Sequence, residues 1–111
     1  MVQIETQEAL NAVEAIAPLV DALFVGPFDL GNNIGHPIIN GRMDPELDAA
    51  IARILKAANA AGKKCGIYCT SGEQAKQYAD MGFHMVSVAT DYTALSAAVT
   101  GALNVASGAS E

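Results

Sequence analysis

The sequence predicts an α/β fold of four β–α units whose strands run parallel. Two observations predict it. Short apolar runs alternate strictly with segments whose apolar residues recur at helical spacing. Capping residues open the helical segments, and Gly or Pro closes most of them. Strict alternation implies helical crossovers between parallel strands. Two architectures satisfy that pattern. One is an open doubly wound sheet, which binds ligands where its strand order reverses. The other is a (β/α)₈ barrel of about 250 residues, of which this 111-residue chain is roughly half.

The elements follow in order. "VQIE" (2–5) reads as a short strand. Thr6 can cap a helix whose apolar residues are Ala9, Leu10, Val13, Ile16 and Ala17, and Pro18 stops it. "ALFVGP" (22–27) is a continuous apolar run, as expected of a strand buried on both faces. "FDLGNNIGHPIINGR" (28–42), rich in Gly and Asn, reads as an irregular connection. Asp44 before Pro45 opens a helix with one apolar stripe, Leu47, Ala50, Ile51, Ile54, Leu55 and Ala58, ended by Gly62. "KCGIYC" (64–69) is the third strand. Ser71 with Gln74 forms a capping-box pattern for a helix that runs to Met81 and stops at Gly82. "HMVSVAT" (84–90) is the fourth strand, Asp91 caps a last helix through Leu95, Ala98, Val99, Ala102 and Leu103, and "SGASE" is a frayed tail.

Composition narrows the function. Half the residues are hydrophobic and the formal net charge is −6, so nucleic acid is not an expected partner. No apolar run approaches a membrane span. No basic segment followed by an apolar core marks a signal peptide, so a cytoplasmic protein is expected. Cys65 and Cys69 lie too far apart for a C-x-x-C redox pair and read as buried, reduced thiols. The sequence contains no G-x-G-x-x-G after a strand, no Walker loop and no G-x-S-x-G elbow. Lys63 precedes and Lys64 opens the third strand, so no lysine stands at the C-terminal end of a strand to form a Schiff base.

In either architecture chemistry sits where strands end. Glu5 ends the first strand, and Asp29 lies just past the second. Adjacent parallel strands are about 4.8 Å apart, so the two carboxylates can converge on one point. Anions that close repel unless a proton or cation lies between them, and a hard divalent ion such as Mg²⁺ suits such oxygens. Gln3 shares the face of Glu5. Each residue has a plainer reading: Glu5 as a carboxylate favoured by the following helix dipole, Asp29 as a turn residue. His36 and "GHP" read equally as a turn, His84 falls at the stability end of its strand, and Tyr68 and Ser87 read as packing.

"VQIET", followed about two dozen residues later by "ALFVGPFDLGNNIGHP", resembles the HpcH/HpaI aldolase family over roughly residues 2–104. The paired motifs Q-x-E-T and G-P-x-D-L carry the resemblance. It implies a (β/α)₈ barrel with these motifs on its fifth and sixth strands, so residues 1–111 are expected to be a C-terminal half-barrel with the N-terminal half absent. It implies a class II, metal-dependent aldolase that cleaves a 4-hydroxy-2-oxo or 2-keto-3-deoxy acid to pyruvate and an aldehyde through a metal-stabilised enolate. Carried over, Glu5 and Asp29 resemble the ligands of a divalent metal (Mg²⁺, Mn²⁺ or Co²⁺), and Gln3 the substrate-contacting amide. The backbone N–H groups of Phe28 and Asp29 resemble the grip on the pyruvate carboxylate. The family's catalytic histidine and arginine come from early strands. No catalytic residue is therefore expected in this chain, and His36 and Arg42 fall in the wrong segment to replace them. A 2-oxo acid substrate and either a homo-oligomer or a complementing N-terminal half are the expected partners. A non-catalytic half-barrel that only binds is the alternative.

Overall fold

The computed structural model describes residues 1–87 and Ala106. Four strands, β1 (Val2–Ile4), β2 (Ala22–Val25), β3 (Lys64–Tyr68) and β4 (Met85–Ser87), form one sheet in the order β1-β2-β3-β4. Every pairing is parallel. Consecutive order without a reversal decides between the two architectures, because a doubly wound sheet needs a strand-order switch and a barrel does not. The predicted fold, a segment of a (β/α)₈ barrel, is the one observed.

Side-chain alternation within the strands places the core on one face only. Ile4, Leu23, Val25, Cys65 and Ile67 are fully buried beneath the helices. Ala22 and Phe24, between the buried residues of β2, are half-buried. The second strand is thus covered by helices on one side alone, where continuous burial had been expected. Its other face lines the cavity described below.

The helices follow their caps. The Thr6 hydroxyl accepts from the Ala9 N–H at 3.0 Å and opens α1 (Gln7–Asn11). The single helix expected through Ala17 is divided: Ala12 leaves helical geometry, α2 (Val13–Ile16) follows, and Ala17–Leu19 is a 3₁₀ turn containing Pro18. Arg53 accompanies the break, donating to the Asn11 carbonyl at 3.4 Å and forking onto Glu14 at 2.8 and 2.9 Å. That fork holds the Glu14 carboxyl below its usual pKa.

The connection 28–42 holds the main departure. Pro27–Ile34 is an α-helix, α3, whose N-cap is Gly26 and whose chain leaves at Gly35 with φ 82°. Proline at the first helical position and glycine in the left-handed position just past the end are ordinary helix punctuation. The Gly and Asn content of the segment masked it. Only residues 35–42 are irregular, closed by paired backbone hydrogen bonds between Ile39 and Arg42 at 3.0 and 3.1 Å.

Two further helices match the expectation. Asp44 caps α4 (Pro45–Ala60) by accepting from the Leu47 N–H at 3.0 Å, and Leu47, Ile51, Ile54 and Ala58 turn inward. Ser71 caps α5 (Gly72–Met81), which ends at Gly82 with φ 111°. The fourth strand begins at Met85, one residue past His84. Its predicted end and the helix after Asp91 lie outside the described residues. Cys65 and Cys69 are free and buried, as expected. Burial pushes the Cys65 thiol up to about 12 and raises that of Cys69.

Candidate active site

The C-terminal ends of β1 and β2 bring together the residues singled out in the sequence. Gln3 and Glu5, two apart, both lie over Gly26. A Cβ built on that glycine would stand 2.9 Å from Gln3 Nε2 and 3.8 Å from Glu5 Oε2. Gly26 has φ −103°, so its value here is space for those two side chains rather than backbone freedom.

Asp29 reaches the same region from the first turn of α3. Glu5 and Asp29 line one cleft of about 410 Å³ with Thr6, Asn32 and Asn33. Asp29 also forms a wall of a neighbouring cavity of about 870 Å³, together with Gln3, Gly26, Phe28, Tyr68 and Gln74. The two spaces meet at Asp29.

The helix after β2 gives Phe28 and Asp29 a definite geometry. The first N–H groups of any α-helix lack intrahelical partners, and no side chain caps α3. The Phe28 and Asp29 N–H groups therefore stand at the positive end of an eight-residue helix, beside the cavity that both residues line. Such an end suits an anion.

The remaining sequence candidates stand apart. His36 Nδ1 lies 2.7 Å from Asp44 Oδ2. The Asp44 carboxyl is held below the usual range first by the Leu47 N–H and then by His36. His36 and Arg42 line neither space. His84 Nδ1 accepts from the Cys65 N–H at 3.2 Å, at the opposite end of the sheet. Tyr68, read as packing, is half-buried and lines the larger cavity with Phe24, Ile38 and Met43. Phe24 packs over Gly66, where a Cβ would meet its Cδ2 at 2.8 Å. Asn33 and Thr70 escaped the sequence reading altogether. The period of two could have flagged Tyr68, but nothing local marks Asn33 or Thr70.

The donor set fits a hard divalent cation in part. Two carboxylates, one just past β1 and one in the first turn of α3, share a cleft, and oxygen ligands with room for water are what Mg²⁺ takes. Among the described residues no cluster of three or more His, Cys, Asp or Glu forms a fuller cage.

Comparison with known proteins agrees with the fold. The model of the HpcH/HpaI aldolase/citrate lyase family matches residues 1–98. The chain belongs to this family. A hydroxypyruvate/pyruvate aldolase of Chromohalobacter salexigens is 42% identical over 97 residues, which are 86% of this chain and 37% of that protein. A 5-keto-4-deoxy-D-glucarate aldolase of Citrobacter koseri is 39% identical, over 82% of this chain and 35% of its own length. Among solved structures, an HpcH/HpaI aldolase/citrate lyase family protein from Burkholderia cenocepacia superposes with a TM-score of 0.86 at 35% identity. The match covers 95% of this chain and 41% of that one. The chain thus spans well under half the length of the family members it matches. No described helix is long and apolar enough to cross a membrane.

Proposed function

We propose that this chain forms the metal- and 2-oxo-acid-binding side of a metal-dependent aldolase. Its parent reaction would be reversible cleavage of a 4-hydroxy-2-oxo or 2-keto-3-deoxy acid to pyruvate and an aldehyde. The observation that carries the reading is that Gln3 and Glu5 converge over Gly26 while Glu5 and Asp29 share one cleft beside the uncapped start of α3. The aldolase names of the relatives support it.

Glu5 and Asp29 would hold the divalent ion. The ion would supply a Lewis acid that draws electron density from the 2-oxo group as the carbon–carbon bond breaks. The Phe28 and Asp29 N–H groups would hold the carboxylate of the 2-oxo acid and fix its plane. The Gln3 amide would donate to a substrate oxygen. Phe24, Ile38 and Met43 would exclude water on the apolar side of the cavity.

Cleavage also needs a base for the 4-hydroxyl proton. Both histidines are committed elsewhere, His36 to Asp44 and His84 to the Cys65 N–H. We therefore assign the base to a complementing N-terminal half of the barrel. The same observation favours a second reading, a half-barrel that binds metal and 2-oxo acid without turning over. A binding and turnover experiment separates the possibilities. The purified chain should bind Mn²⁺ weakly, and Glu5→Gln or Asp29→Asn should weaken that binding further while leaving a measurable remainder. It should release no pyruvate from a 4-hydroxy-2-oxo acid, since a general base is worth roughly 10²- to 10⁴-fold in rate. Robust turnover by the chain alone would show that the base lies within it.

A further inference from the structure

Glu5 and Asp29 belong to different segments. Glu5 sits in the short link between β1 and α1, and Asp29 sits in α3. Cooperation of the two carboxylates on one ion requires that link and that helix to keep a fixed separation. One described side-chain hydrogen bond ties the start of α1, where the link ends, to α3. The Gln7 N–H donates to Asn33 Oδ1 at 2.7 Å, across 26 residues of sequence.

Its chemistry is well defined. Gln7 is the first residue of α1, so its N–H has no partner within the helix. Thr6 satisfies the Ala9 N–H, which leaves the Gln7 N–H to an outside acceptor. Asn33 supplies it from the last turn of α3. Because a backbone N–H can only donate, the Asn33 amide must present its oxygen there. Asn33 also lines the cleft that Glu5 and Asp29 share.

We propose that Asn33 is a positioning residue that locks the Glu5 link onto α3 and so sets the Glu5–Asp29 geometry for a divalent cation. The inference rests on the metal reading above. Asn33 acts through Gln7 and Glu5 and needs no contact with the ion. Partners of this kind typically change metal affinity by roughly 10- to 100-fold.

The test uses the full chain with Mn²⁺ alone as probe, titrated by electron paramagnetic resonance. Asn33→Ala removes the acceptor and should weaken Mn²⁺ binding by about tenfold. Asn33→Asp keeps an oxygen for the Gln7 N–H and should retain affinity at or above that of the unaltered chain. In a Glu5→Gln background Asn33→Ala should add no further loss, since its effect passes through Glu5. A loss of the same size in both backgrounds, or no loss in either, overturns the proposal. A second measurement needs no variant. Coupling is reciprocal, so saturating Mg²⁺ should slow hydrogen exchange at the Gln7 amide, and an unchanged rate again overturns it. The parent reading fails differently. There the unaltered chain binds Mn²⁺ no better than the Glu5→Gln, Asp29→Asn double variant, and the proposed role of Asn33 falls with it.

Discussion

Gly26 shows how much of the site depends on one missing methyl group. Its backbone is in an ordinary region, so Gly26→Ala carries no conformational penalty of the left-handed kind. The new Cβ would nevertheless press on Gln3 Nε2 at 2.9 Å, and the amide must move. Losing one hydrogen bond costs about 1 kcal/mol, so pyruvate affinity in the presence of Mg²⁺ should fall about five- to tenfold. Calorimetric titration measures this, and thermal unfolding should shift little. Buried groups set the alkaline limit. Burial raises Cys65 and Tyr78 to about 12 each, from ordinary values of 9 and 10. A raised acid keeps its proton in the folded chain after the unfolded chain has lost it, so stability is full below pH 9 and declines from there toward pH 12. Melting temperature followed by circular dichroism from pH 7 to 11 should fall only above about pH 9, and Cys65→Ala should soften the decline. At this scale the sequence was legible where a residue's strand position fixes its direction, as for Gln3 and Glu5. It was not legible for Asn33, whose partner lies 26 residues away.

Among the elements, α3 was hidden and its punctuation was not. Pro27 at its start and Gly35 past its end are helix signals. They were outweighed because a glycine and two asparagines fall inside the segment, and such residues favour turns. Packing explains why this helix accepts Gly31. A Cβ there would meet the His36 carbonyl oxygen at 2.8 Å and Leu47 Cδ2 at 3.0 Å. Ala is favoured over Gly in a helix interior by about 1 kcal/mol, whereas overpacking costs roughly 1–3 kcal/mol. The backbone oxygen cannot turn aside as a side chain could, so the clash should win. Gly31→Ala should destabilise the chain by about 1 kcal/mol or more, read as a lower urea midpoint with an unchanged slope. The capped helices α4 and α5 were legible almost to the residue, because Asp44–Pro45 and Ser71 mark starts while Gly62 and Gly82 mark stops. The break at Ala12 was not, since it coincides with Arg53, distant in sequence, taking the Asn11 carbonyl.

The molecule as a whole presents an unclosed sheet among its described residues. β1 pairs with β2 alone, and its other edge is a template for a further strand. An isolated chain should therefore self-associate, and light scattering coupled to size exclusion should show species above the monomer mass. The same edge is where a complementing barrel half would dock. Co-expression with the remaining β–α units of a relative should let the strands close around the mouth that holds Gln3, Glu5 and Asp29. Pyruvate release should then appear, require added Mg²⁺ or Mn²⁺, and vanish with a chelator. Asp29→Asn removes one charge at nearly constant shape and should abolish most activity with little effect on assembly. Glu5→Gln should do the same. If both carboxylates serve one ion, losing either already loses the ion, so the double variant should be scarcely worse than each single one. Independent roles would instead multiply the losses. Multiplied losses in the assembled enzyme, or activity indifferent to both substitutions, would show that Glu5 and Asp29 do not act through a shared cation.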